Sequence, residues 1–141
     1  MAAANKFQVF VENVAEKVHD LGADTLRVAL TNTIPVATNT ILANITQIAT
    51  ANGYSAPGTQ ATQSSSAHTT GTYKLVVGDV TFTATGGSMG TFQYAVLHND
   101  TPTSPVDPLI LWWDYGSAVT LTVGNSFTVD FDASAGVLTI A

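Results

Sequence analysis

A mainly β, antiparallel domain carrying one N-terminal amphipathic helix is predicted by three observations. Apolar residues beyond about residue 24 recur with a period of two, and Gly, Asn and Pro turns cut that region into short segments. A three-and-four apolar spacing, the mark of a helix, occurs convincingly only near the start. The length of 141 residues suits one domain with a core of ordinary size. The expected organisation is a single domain over 1–141: an arm at 1–5, a helix at about 6–20 and a β domain at about 24–141.

The helix rests on Phe7, Val11, Val14, Val18 and Leu21, which fall on one helical face, with Glu12, Glu16, Lys17 and Asp20 away from it. Asn5 and Gln8 suit an N-cap and its partner, and Gly22 suits a C-terminal stop. Its valines are indifferent helix formers, so a sheet or partner must support it. Leu26, Val28 and Leu30 then alternate with Thr25, Arg27, Ala29 and Thr31, as in a half-buried strand. Thr31 to Pro35 reads as a turn, and Ile41, Ile45 and Ile48 suit either a short helix or an irregular strand. Asn52 to Gly58 reads as a loop, and the Thr/Ser-rich tract Thr59 to Thr70 as an edge strand or a mobile loop.

Strands are expected at Tyr73 to Val77, Val80 to Ala84, Thr91 to His98, Pro108 to Asp114, Ala118 to Val123, Phe127 to Phe131 and Val137 to Ile140. With Leu26 to Leu30 they make about eight. Short, closely spaced strands with Gly-rich corners point to an antiparallel sandwich or barrel, and eight is the number of a jelly roll.

Composition narrows the function classes. Charged residues are only 10% of the chain, and Thr, Ser, Asn and Gly take their place. Such a surface is polar but desolvates more cheaply than one covered in ammonium and carboxylate groups, which favours a protein made to be covered by neighbours. The net charge is −6, and Lys6, Lys17, Arg27 and Lys74 are scattered, so no basic stripe is available to a phosphate backbone and no direct nucleic-acid binding is expected. No cysteine is present, which leaves the redox compartment open. No apolar run suits a membrane span or a signal sequence, so a soluble, cytoplasmically made chain is expected.

The motifs that carry chemistry are weak. Gly86-Gly87-Ser88-Met89-Gly90 matches the nucleophile-elbow pattern, with His98 and Asp114 downstream, but that elbow needs a helix after the serine and Phe92 to Leu97 reads as a strand. A tight Gly-rich hairpin accounts for the same residues. Asp130 and Asp132 would share one strand face, yet a calcium site draws six or more oxygens, typically from a loop, so a solvated face is expected. His19, His68 and His98 lack zinc spacing. Asn44-Ile45-Thr46 and Asn99-Asp100-Thr101 match the glycosylation sequon without a secretion signal. No catalytic, cofactor or metal residues are therefore nominated, and a non-enzymatic protein is expected.

Adjacent tryptophans on a strand point to opposite faces. Leu109, Leu111, Trp113 and Tyr115 would share one face, and Ile110, Trp112 and Asp114 the other. Asp114 marks the second face as wetter, which makes Trp112 a candidate interface aromatic; the alternative is that the helix or a second sheet covers both rings. An aromatic anchor of roughly 150 to 250 Å² is worth up to about 4 to 6 kcal/mol when buried.

The segments Asn5 to Asp20, Leu30 to Thr33, Tyr94 to Pro102, Trp112-Trp113-Asp114-Tyr115-Gly116 and Phe127 to Asp132 together resemble a family of small structural proteins of tailed phages and prophages. Within it the chain is most similar to capsid cement, or decoration, proteins. The resemblance implies a jelly-roll-like domain on the outer surface of the virion capsid that staples neighbouring major capsid protein subunits, as a dimer. Contacts are then expected from Lys6, Phe7 and Phe10, from the loop Ser64 to Thr70, from Asn99 to Asp107 and from Trp112. The rival is a tail or fibre module holding a host receptor or saccharide, with Tyr54, Tyr94, Trp112 and Tyr115 as stacking platforms.

Overall fold

The computed structural model describes residues 2–141. Ten strands form three antiparallel sheets. The largest has the order β1-β8-β7-β2-β3, from Asn5–Lys6 (β1), Leu109–Val119 (β8), Phe92–Asn99 (β7), Leu26–Thr31 (β2) and Thr59–Gln60 (β3). A second sheet orders Leu138–Ile140 (β10), Thr72–Val77 (β5) and Gln63–Thr69 (β4), and a ribbon pairs Val80–Thr83 (β6) with Ser126–Val129 (β9). The fold is thus mainly β and antiparallel, and among the described residues no closed barrel forms.

One apolar core joins the three sheets. Leu26, Val28 and Leu30 of β2, Leu97 of β7 and Trp113 of β8 pack in the same cluster as Leu75, Val77, Val80, Phe82 and Val129 of the smaller sheets. The expected half-buried strand at β2 is buried on both faces. Its other face belongs to a second cluster, where Ala29, Val96 and Leu109 meet Phe7, Leu42 and Ile45. Alternation in the sequence could not reveal this, because Ala29 and Thr31 are small enough to read as a solvent face.

The helix, α1, is shorter than its spacing predicts, at Val9–Ala15, and Asn5 does not cap it: Asn5 lies in β1, opposite Trp112. Nor is Gly22 its stop. Lys17 takes a left-handed φ of 62°, and the amides of Lys17 and Val18 bond back to the carbonyls of Val14 and Asn13, the pairing of a Schellman end. The helical face is rotated as well. Phe10 and Asn13 are buried, while Val11, at the centre of the predicted stripe, is 54% exposed.

The Ile41 to Ile48 ambiguity resolves as a single 3-10 turn at Leu42–Asn44, whose Asn44 Oδ1 accepts the Thr40 and Ile41 amides. The tract Thr59 to Thr70 supplies two strands, β3 and β4, each at the edge of its sheet. Ala118 to Val123 is not a separate strand. The single strand β8 runs through Gly116 to Val119, and Thr120 onward is irregular.

Two irregularities in β8 place its side chains. Between Leu97↔Leu111 and His98↔Leu109 the register slips, leaving Ile110 extra. Leu109 therefore falls in the Phe7 cluster, on the Trp112 side, instead of with Leu111 and Trp113. Further on, Phe92↔Val119 and Tyr94↔Asp114 leave Tyr115 to Ala118 bulged opposite Gln93 alone. The Gly86–Gly90 segment is not a hairpin either. It connects β6 to β7, which pair with different strands, and the Asn52 side chain holds it by donating to the Ser88 carbonyl at 2.8 Å. A strand, not a helix, follows Ser88.

Candidate binding surface

The N-terminal segment carries three of the expected contact residues, Lys6, Phe7 and Phe10. Asn5 and Lys6 add to β8, and the Phe7 amide donates to the Ile110 carbonyl at 3.2 Å. That pairing drops the Phe7 ring into the second core, where it is fully buried 4.6 Å from the ring of Trp112. Phe10 is buried on the other side, with its ring centroid 5.5 Å from that of His19. Neither phenylalanine is available as a contact, because each already has an intramolecular pocket. Lys6 remains exposed, and Trp112 is half-buried with one face against Phe7.

What the segment leaves outside is apolar. Val11 projects from α1, and Ile34 and Val36, 63% and 54% exposed, flank the buried Pro35. The Gln8 amide donates to the Ala37 carbonyl at 2.9 Å, so this loop is fastened to the start of the helix. The sequence pattern points to none of the three: Val11 falls in the predicted apolar stripe, Ile34 in the expected turn Thr31 to Pro35, and Val36 in no expected element. A signal was present in the charge distribution. Every Asp, Glu, Lys and Arg lies outside the 46 residues from Val28 to Tyr73. Ile34, Val36 and β4 all belong to this run.

The loop Asn99 to Asp107 divides into buried and exposed parts. Asn99 is fully buried and acts as a peg. Its Nδ2 donates to Asp24 Oδ2 at 2.6 Å and to His19 Nδ1 at 3.1 Å, and its Oδ1 accepts the Thr101 amide. It is not a contact residue, because its polar atoms are spent inside the domain. Asp107 is half-buried at a φ of 47°, and desolvation pushes its carboxyl above the usual range. Val106, next to it, is exposed.

Both buried histidines have defined tautomers. A carbonyl only accepts, so His98 Nε2, 2.9 Å from the Pro57 oxygen, carries the proton and its Nδ1 has no partner. An amide nitrogen only donates, so His19 Nδ1 is bare and the unpartnered Nε2 is protonated. Burial lowers the pKa of both, His19 to about 4 against an opposing pull from Asp24. Arg27 Nε closes the group with a 2.6 Å ion pair to Asp100 and donates from its terminal nitrogen to the Gly58 carbonyl.

Ser64 to Thr70 is exposed throughout. Asp130 and Asp132 are also exposed, and Asp132 Oδ1 accepts the Ser134 and Ala135 amides, which lower its pKa. Among the described residues no three acidic, histidine or cysteine side chains gather to hold a metal ion. Of the proposed stacking platforms, Tyr54 is withdrawn into the core: its hydroxyl accepts the Leu30 amide and donates to Gln47, and burial pushes its pKa up to about 12. Tyr94 and Tyr115 do converge. With Phe92, Trp113 and Phe127 they line a cleft of about 430 Å³ opened by the β8 bulge, and Tyr115 meets Phe127 edge-on at 5.1 Å.

No family model matches the chain, and neither a curated protein nor a solved structure matches it. Among the described residues no helix is long and apolar enough to cross a membrane.

Proposed function

We propose that this chain is a non-enzymatic virion protein, a capsid cement protein of jelly-roll-like connectivity that lies on the outer shell and staples major capsid subunits. The observation that carries the reading is three exposed apolar side chains, Val11 on the helix and Ile34 and Val36 on the loop that Gln8 fastens to the helix start, on a chain poor in charge. Large apolar side chains left in water are contact material. A protein that binds only the assembled shell lowers its free energy by mass action, and capsid symmetry repeats a modest contact many times.

Co-sedimentation with purified expanded shells, followed by a heat challenge, tests the proposal. The protein is expected to pellet with shells and to raise their disruption temperature, and Val36→Asp is expected to weaken both effects. Shells that neither bind it nor gain heat resistance would overturn the reading. The aromatic cleft of Tyr94, Trp113 and Tyr115 favours one second reading, a tail or fibre module that stacks on saccharide rings. Binding on a glycan array that is lost in Tyr115→Ala, together with a trimeric state, would select it.

A further inference from the structure

The strand β4 adds almost nothing to the core of its own domain. From Ser64 to Thr69 every residue is exposed, and among the described residues the backbone of the strand is bonded on one side only, by its hairpin with β5, while the Gln63 side chain at its start donates to the Leu21 and Asp24 carbonyls. The hairpin closes through Thr70 and Gly71, at φ values of 48° and 86°, the paired left-handed geometry of a two-residue turn. In such a hairpin Thr69 and Thr72 form the hydrogen-bonded pair, and alternation from there turns the backbone groups of Ser66 and His68 away from β5. Among the described residues no other backbone segment bonds to them. We propose that β4 is a self-pairing edge, through which two copies of this chain join their three-stranded sheets into one continuous antiparallel sheet of six.

Three observations favour a second copy as the occupant. The other long edge of the molecule is protected and this one is not. On β8, β1 covers Leu111 and Trp112, and the chain beyond bulges while Asp114 Oδ1 takes the Gly116 amide at 2.7 Å. On β4 there is no proline, no lysine, no carboxylate and no bulge from Ser65 to Thr69, the devices that ordinarily blunt an edge. The strand also complements itself. An antiparallel pairing about Ser66 sets Ser65 opposite Ala67, and Ser64, at the irregularity that begins the strand, opposite His68, with no like charges facing.

Electrostatics selects the same seam. Two copies each carrying −6 repel, so they meet at least cost along a strand with no charge of its own, and the two charged side chains that share a groove with Ser66, Lys17 and Asp20, are of opposite sign. β4 lies wholly within the charge-free run from Val28 to Tyr73. The proposal does not depend on the capsid reading, and a chain that failed to bind shells would still pair in this way.

Sedimentation equilibrium of the full chain, up to about 1 mM, is expected to show a monomer–dimer equilibrium, and Ser66→Pro, which deletes an outward amide, is expected to weaken association about tenfold or more. The pair Ser64→Lys and His68→Lys, which sets lysines across the seam, is expected to weaken it likewise, whereas Val11→Ser on the helix leaves it unchanged. Amide exchange of the unaltered chain needs no variant: Ser66 and His68 are expected to slow as concentration rises. A chain that stays monomeric throughout, a dimer indifferent to the β4 variants, or Ser66 and His68 amides that exchange freely in the dimer would each overturn the proposal.

Discussion

The ring of Phe7 sits 4.6 Å from that of Trp112 at an interplanar angle of 43°, and this pair fastens the N-terminal segment to the outer face of the five-stranded sheet. Phe7 is the largest side chain of the second core and has no exposed surface. Phe7→Ala is expected to cost about 3 to 5 kcal/mol in denaturant unfolding. It also uncovers Trp112, so native tryptophan emission shifts to the red, and the shift disappears in a Trp112→Phe background. An unchanged spectrum would show that the two rings do not depend on each other.

Lys17 ends α1 at a φ of 62°, a conformation that costs a side-chain-bearing residue more than glycine. Lys17→Gly is therefore expected to stabilise the domain by about 1 kcal/mol. Lys17→Ala keeps the Cβ atom and is expected to bring no such gain. The two unfolding midpoints, measured side by side, separate backbone strain from loss of the ammonium group.

Gly58 is at a φ of +108°, and a Cβ there would collide with the Val28 carbonyl in β2. Gly71 has a φ of +86° but nothing within 4 Å of the same position. Gly58→Ala is expected to cost about 2 to 3 kcal/mol or more and Gly71→Ala about 1 kcal/mol, since only the first adds a clash to the backbone strain. Equal losses in thermal unfolding would contradict the close approach of the 51–58 loop to β2.

Stability is expected to fall as pH drops from 6.5 towards 4. His19 is held neutral in the folded chain, with a pKa of about 4 instead of 6.5, and burial lowers His98 in the same direction. Below pH 6.5 the unfolded chain takes up protons that the folded chain refuses, so the stability present above that pH is progressively lost, by at most about 1.4 kcal/mol per pH unit for each histidine. Asp107, whose carboxyl is raised, works the other way and reduces the slope. Urea unfolding across this window is expected to show a shallower fall in His19→Gln, and a flat profile for the unaltered chain would refute the linkage.

Legibility followed the range of the physics. The strands near 26–30, 73–77, 80–83 and 92–98 were readable because period-two alternation is a local consequence of the pleat. Asp130 and Asp132 are solvated as expected but do not share a strand face: β9 ends at Val129, and Asp132 Oδ1 holds the Ser134 and Ala135 amides of the turn that follows. Of the expected contacts, the sequence placed Lys6, Ser64 to Thr70 and Asp107 on accessible or half-accessible positions, but it could not know that Phe7, Phe10 and Asn99 had partners inside the domain.

By itself, then, the sequence determined a β-rich chain with one N-terminal helix and a surface sparing in charge. Only the tertiary structure decided which faces were wet. Adding Asn5–Lys6 to β8 rotated α1 so that Val11 faced solvent, buried the second face of β2 under Phe7, and left Trp112 half-covered. Two slips of register in β8 moved Leu109 to the Trp112 side and opened the aromatic cleft. A period of two says that faces alternate. Which face meets water depends on what the rest of the chain lays over it, a matter of contacts between residues about a hundred positions apart, as between Phe7 and Trp112.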